Sequence, residues 1–531
     1  MLMKNHTLVL HGGNNAMASN VHSDDDSFPS AHSFHHEGIP KKHITQTWRW
    51  LILCTGVILL GTVPSVQATT EICGDISTNM TWSADKSPYI VTCKTTVKEG
   101  ATLVIEPGVQ IRFLKATHRT KIGLRIEGEL NATGTEDQPI LFTSDEPKPH
   151  PQDWGGITFA PSNTGSIFDK DGTYTGGSTL QYCVIEYGGA VPWQGAVEVL
   201  GTSLYLNSVV IHMNAASGIR AKNGKVLLQH STLTKNSNSL AGSGGGIIAR
   251  SSEITVENSL LHNTVSSGSG GAIYVTQSDL TLRRTNFINN ETAGNGGSVF
   301  VSGSTLTITD GIFHKNESPV RGGAIYIGNR STASIDRSTF INNRTLPTAA
   351  LGEGEGKSTK HTLGAAVFSD KSTLAIAGSI FTDNKAVTEC GALAVRSSVL
   401  TLNTSVFFDN TSVYNGAALC IEDGKKGSSI TQNTFTRNVS DKYLTANTIY
   451  LESGEFPTFT NNNMYGNTGF DIVNDTPNAI HTPNNWWGTT DEFAIEEKVL
   501  GDAGELTKGE ITFTPFLQHK VVIPNPSDST Q

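Results

Sequence analysis

The sequence predicts an all-β fold, a right-handed parallel β-helix (a solenoid) of about 12–15 coils. Three observations predict it. A pattern returns about every 27 residues through the middle of the chain, it contains no helical period, and the composition is poor in charge and rich in glycine. Charged residues make up 16% of the 531-residue chain and 54 residues are glycine, against roughly 25% charged in an ordinary globular domain. Few charges with much Gly, Ser, Thr and Asn suit strands joined by tight turns. The formal net charge of −10 shows no basic patch and excludes nucleic acid as a partner.

Residues 270–290 read GGAIYVTQSDLTLRRTNFINN, and the next passes are GGSVFVSGSTLTITDGIFHKN and GGAIYIGNRSTASIDRSTFINN. A glycine pair opens an apolar triplet, a Ser/Thr-rich stretch follows, and an aromatic stands three residues before an asparagine. The closing asparagines are Asn263, Asn290, Asn316, Asn343, Asn384, Asn410 and Asn438, with weaker copies at Asn214, Asn236 and Asn467. One long step carries an insertion at residues 344–363. Propeller blades need about 40 residues and leucine-rich repeats need their Leu spacing, so each unit is one coil. Equivalent residues then stack on themselves at about 4.8 Å.

That stacking explains the repeated residue types. Phe287, Phe313, Phe340, Phe381, Phe407 and Phe435 point inward. The asparagines at the following turn suit left-handed backbone, and their amides can donate to one neighbouring coil and accept from the other. The glycine pair allows a corner where a Cβ would clash. Alternation puts Ile273 and Val275 inside and Tyr274 outside. Tyr274, Phe300, Tyr326 and Phe368, each four residues after a glycine opening, therefore form an outward strip of rings. Such a strip either stabilises the sheet by cross-strand stacking, with the insertion as its cover, or offers a binding surface to an extended glycan or a protein partner.

The ends depart from the repeat, as a solenoid requires. Residues 1–47 read as a disordered leader. Residues 48–68 hold the one strongly apolar segment, preceded by Lys41, Lys42 and Arg49 and closed by Val66-Gln67-Ala68. It is a signal peptide or a membrane anchor, and Gly56, Gly61 and Pro64 shorten its core in favour of cleavage. The β-helix is expected over 69–520, with its repeat core at 240–440. Residues 102–113 and 123–134 open it, Trp486 and Trp487 plug its far end, and 521–531 form a disordered tail. Of six cysteines, Cys54 lies in the apolar segment. Cys73 and Cys93 flank the first mature segment, where an export context lets them pair, for about 3 kcal/mol by loop closure. Cys183, Cys390 and Cys420 read as small core or turn residues.

The GGAI openings at Gly270 and Gly322, in phase with the FxxN motif, resemble the repeats of chlamydial polymorphic outer-membrane proteins over roughly residues 240–440. The flanks, with TLVIEPGVQIRF and NNWWG, resemble secreted bacterial right-handed β-helix proteins more widely. The resemblance implies a secreted or cell-surface passenger, in a bacterium an outer-membrane one, that adheres to a host or cell-surface partner. The family's C-terminal translocator barrel has no counterpart here, where a short tail follows the helix.

The alternative function is a polysaccharide lyase or glycosidase, which would need carboxylates from neighbouring coils at equal phase. Asp279, Asp310 and Asp336 sit at different offsets, while Asp383 and Asp409 stack, with Arg437 next in the series. That pair could bind a cation or form a solvated turn. Residues 352–359, GEGEGKST, miss the first glycine of a phosphate loop, since Leu351 occupies its place. No catalytic residue, cofactor or metal is expected.

Overall fold

The computed structural model describes residues 69–116, 122–190, 195–238, 242–346, 363–441, 446–501 and 508–523. The expectations for 1–47, 48–68, 352–359 and the end of the tail lie outside these residues. The described residues belong to one compact unit.

A parallel β-helix of about 15 stacked coils makes up that unit. One coil shows the plan: Ile273–Thr276 lies on face A, Asp279–Arg283 on face B, Asn286–Ile288 on face C, and Glu291–Thr292 adds a short fourth pair. Each strand pairs in parallel with its equivalent one coil on, Ile273 with Val299, Leu280 with Leu306 and Phe287 with Phe313. Face B is a 14-stranded sheet and the short pair an 8-stranded one. Faces A and C merge because Tyr89–Val97 runs round a corner and pairs with both Gln110–Phe113 and Leu124–Ile126. At about 4.8 Å per strand, face B runs roughly 60 Å.

The six phenylalanines are fully buried and stack along the axis, with centroids 4.5–5.0 Å apart and planes within 18°. Beside them the buried asparagines form a continuous column. Asn316 donates its Nδ2 to Oδ1 of Asn343 (2.9 Å) and to the carbonyl of Phe287 (3.0 Å), while its Oδ1 accepts from the backbone and side chain of Asn290. These asparagines are not the left-handed residues. The positive φ belongs to the residue before each, from Asn289 (53°) through Lys315 (54°) to Arg437 (54°). A turn of this size needs one left-handed residue, and the next position points its amide inward. Asn263 therefore belongs to the left-handed set (φ 51°), and Thr264 holds its coil's place in the column, donating to Asn290 at 2.7 Å.

The glycine pair divides its work. Gly270 supplies φ 67°, and a Cβ on Gly271 would lie 2.2 Å from the carbonyl oxygen of Gly297 in the next coil. The insertion is narrower than expected. Arg344–Thr345 is still a strand pairing with Glu317–Ser318, and Leu363 bridges Arg321 and Glu389.

The solenoid starts at Thr70–Ile76, which pairs with Tyr89–Val97 and is tied to it by a Cys73–Cys93 disulfide. Residues 102–113 and 123–134 are strand pairs about turns, the first supplying Thr102–Ile105 to face B and Gln110–Phe113 to face C, the second Leu124–Ile126 to face A and Glu129–Thr133 to face B. At the far end only one tryptophan plugs the core. Trp487 is buried edge-on to Phe513 (6.4 Å), while Trp486 is half-covered and bridges Asn463. A short helix, Glu492–Glu496, is N-capped by Asp491. The tail is held at its start, where Val521 exchanges hydrogen bonds with the Asn463 side chain (2.8 and 2.9 Å).

Candidate functional site

Tyr274, Phe300, Tyr326 and Phe368 are aligned on the outside of face A, with centroids 4.9, 4.9 and 5.5 Å apart. They do not form an open strip of four. Tyr326 is 9% and Phe368 0% exposed, and only Tyr274 and Phe300 are half-exposed. The guanidinium groups of Arg321 and Arg396 lie 5.2 and 5.4 Å from the centre of Phe368. Leu363 and a second disulfide, Cys390–Cys420, complete the cover. Cys390 and Cys420 are thus not plain core or turn residues: Cys390 takes the left-handed glycine place (φ 63°) and Cys420 the outward row, which brings the thiols of adjacent coils together. Cys183 remains free and buried.

Burial pushes the Tyr326 phenol up, and it lowers Arg321 together with repulsion from Arg396. Arg396 is held up by its hydrogen bonds to Asp370, at 2.9 and 3.1 Å. The rings stack face to face, so each covers its neighbour's face and the half-exposed pair presents edges to solvent.

The stacked carboxylates are also occupied. Arg437 holds Asp409 through two hydrogen bonds (2.9 and 2.8 Å), Asp383 accepts from Thr382, and Asp310 and Asp336 share Arg337. Among the described residues no three His, Cys, Asp or Glu side chains are grouped to hold a metal ion.

A different feature is concave: an open cleft of about 1070 Å³ along the corner between faces A and B. Its floor is the turn row of six coils, from Gly201–Ser203 to Arg330–Thr332. A buried serine ladder underlies it. Ser252, Ser278 and Ser304 each accept from the backbone of the preceding coil and donate to a carbonyl two residues back. Above that ladder the side chains of Asn223, Ser251, Gln277 and Thr305 are exposed, and no hydrogen bond engages them. Lys225 pairs with Glu253 at 2.8 Å and lies 5.3 Å from the centre of Phe168.

One wall comes from an excursion between coils, residues 161–178, bearing the antiparallel hairpin Ile167–Phe168 and Tyr174–Gly176. A buried polar network pins it. Asn163 donates to Gly128 (2.5 Å) and Ser178 (2.9 Å), and Ser166 binds Ser178 and Tyr205. Tyr174 stacks on Tyr205 at 4.5 Å. Sequence reasoning passed over this cleft, because its floor residues are ordinary turn residues and its wall stands outside the repeat. The non-repeating, aromatic-bearing stretch between two coils was the signal available.

The fold defines a class that comparison with known families also finds. A model described as a pectate-lyase like beta helix domain matches residues 74–209, and one described as a right handed beta helix region matches 171–345 and 262–486. The second spans well over half of the chain. The protein belongs to the right-handed β-helix family. No curated protein matches it.

Proposed function

We propose that the protein is an exported or cell-surface β-helix that binds an extended ligand and serves adhesion rather than catalysis. The cleft carries this reading: a wall pinned at its N-terminal end opens onto uncommitted side chains along the turns of six coils. Export is supported by the apolar segment at 48–68, by the resemblance of 240–440 to surface passengers, and by two disulfides, which persist in oxidising compartments. The partner is a glycan or a protein of another cell's surface.

One observation favours an enzyme instead. The pectate-lyase-like match at 74–209 takes in the wall of the cleft. A single preparation separates the two. Beads coated with the full chain should attach to cells, and uronic-acid polymers incubated with it, with and without calcium, should keep their length. Depolymerisation would replace the binding reading by a catalytic one; absent attachment with intact polymers would remove both.

A further inference from the structure

We infer that the cleft between faces A and B takes a neutral, linear, hydroxyl-rich polymer, a glycan chain several units long. The inference rests on the binding reading and gives it a location and a ligand chemistry.

Shape sets the first limit. Six turns at about 4.8 Å make a floor roughly 24 Å long, open to solvent and straight because the coils are in register. A single sugar ring or amino acid would leave most of it empty.

Hydrogen bonding sets the second. An extended peptide adding to a sheet needs unpaired backbone groups. Here they are spent: the N–H groups of Asn223, Ser251, Gln277, Gly303 and Arg330 each donate to a carbonyl of the next coil, at 2.8–3.2 Å. What remains are exposed hydroxyl and carboxamide side chains in two parallel rows, Asn223, Ser251 and Gln277 in one and Thr305 and Thr332, in register with Asp279, in the other, offering donors and acceptors together. Hydroxyl groups of a ligand, themselves donors and acceptors, match that supply.

Charge sets the third. Lys225 and Arg330 are balanced by Glu253 and Asp279, and Lys225 is already paired with Glu253. With that pair set aside, Arg330 and Asp279 remain, so a polyuronate or a nucleic acid would find no net positive charge along the floor. At the wall, Ile167 is 55% exposed beside Phe168. This apolar rim faces a polar floor, and the C–H face of a sugar ring suits it.

The test titrates the full chain by calorimetry with hexamers of cellulose, xylan, mannan and chitin, the matching dimers, and a galacturonate hexamer. At least one neutral hexamer should bind ten-fold or more tightly than its dimer, with little dependence on salt. The Asn223→Ala/Gln277→Ala double variant and Ile167→Ser should each weaken it at least three-fold without moving the melting temperature. Failure of every neutral hexamer, tighter binding of the galacturonate, or binding indifferent to both variants would overturn the inference. Cell attachment that persists in both variants would leave adhesion standing and remove the cleft as its site.

Discussion

Two columns of aromatic rings run along this solenoid, one inside and one outside, at almost the same spacing. The inner column, Phe287 to Phe435, is sealed on all sides by Ile, Val and Leu from three faces. The outer column, Tyr274 to Phe368, lies on one face and is closed at one end by two arginines and a disulfide. Both are periodic, and periodicity follows from coil-on-coil stacking whatever a column does. What separates scaffold from surface is which atoms reach solvent, and on the outer column these are ring edges.

The contrast can be broken from the inside first. Phe340→Ala removes a fully buried ring between two others and should cost about 3–5 kcal/mol, read as a drop in the urea midpoint. A melting temperature within a degree or two of wild type would mean that the inner column does not support its neighbours.

The end of the outer column comes next. Cys390→Ser with Cys420→Ser opens a 30-residue loop and should cost about 2–4 kcal/mol. It should also raise the solvent accessibility of Phe368, measured by hydrogen exchange in residues 367–370.

The polar companion of the inner column responds to pH. Asp471 is fully buried, accepts from Asn467 at 2.9 Å, and is pushed up by burial to about 6 from a model-compound value of 3.8. The folded state thus binds more protons than the unfolded one between these values. This contribution is fully present below about 3.8 and is lost as pH rises through about 6, a change of roughly 3 kcal/mol. Asp471→Asn should flatten that slope in midpoints measured from pH 4 to 7. An unchanged slope would place the titration elsewhere.

The smallest effect belongs to the half-exposed rings. Tyr274→Ser and Phe300→Ser should each cost less than about 1 kcal/mol, the scale of a cross-strand pair, and should leave bead attachment to cells unchanged. Lost attachment at an unchanged melting temperature would make the outer column a binding surface after all.

The fold was readable from the sequence because a parallel solenoid repeats its chemistry in register. The Gly270 corner, the Phe287 column and the inward Ile273 and Val275 all follow from that rule. A one-residue phase was not readable at Asn263, since left-handed turn residues and column residues are adjacent and both favour asparagine. Cys390 and Cys420 stand 30 residues apart, one in a glycine place and one in an aromatic row, so no spacing of thiols advertises their pairing. Asn433, Asn462 and Asn485 form a second buried amide series at the corner between faces B and C. There they replace the serines of earlier coils, and an FxxN motif marks only Asn462. The cleft was hidden for a related reason. Its floor depends on which turn side chains stay unbonded, which only the neighbouring coils decide.

The asparagine column also gives the molecule a direction. From Asn290 to Asn467 every bond from one carboxamide to the next runs towards the C-terminal end, while the second N–H of each turns back to a carbonyl of the coil before, and the series closes on the Asp471 carboxylate. Cutting the stack anywhere is therefore asymmetric. Between Asn316 and Asn343 the N-terminal piece is left with two buried N–H donors that shared one oxygen, beside the Phe313 carbonyl, and the C-terminal piece with the bare Asn343 Oδ1 and one N–H of its Nδ2. A chain emerging from the ribosome always presents the first kind of end, so each finished coil waits for the next, and the last acceptor to arrive is an acid.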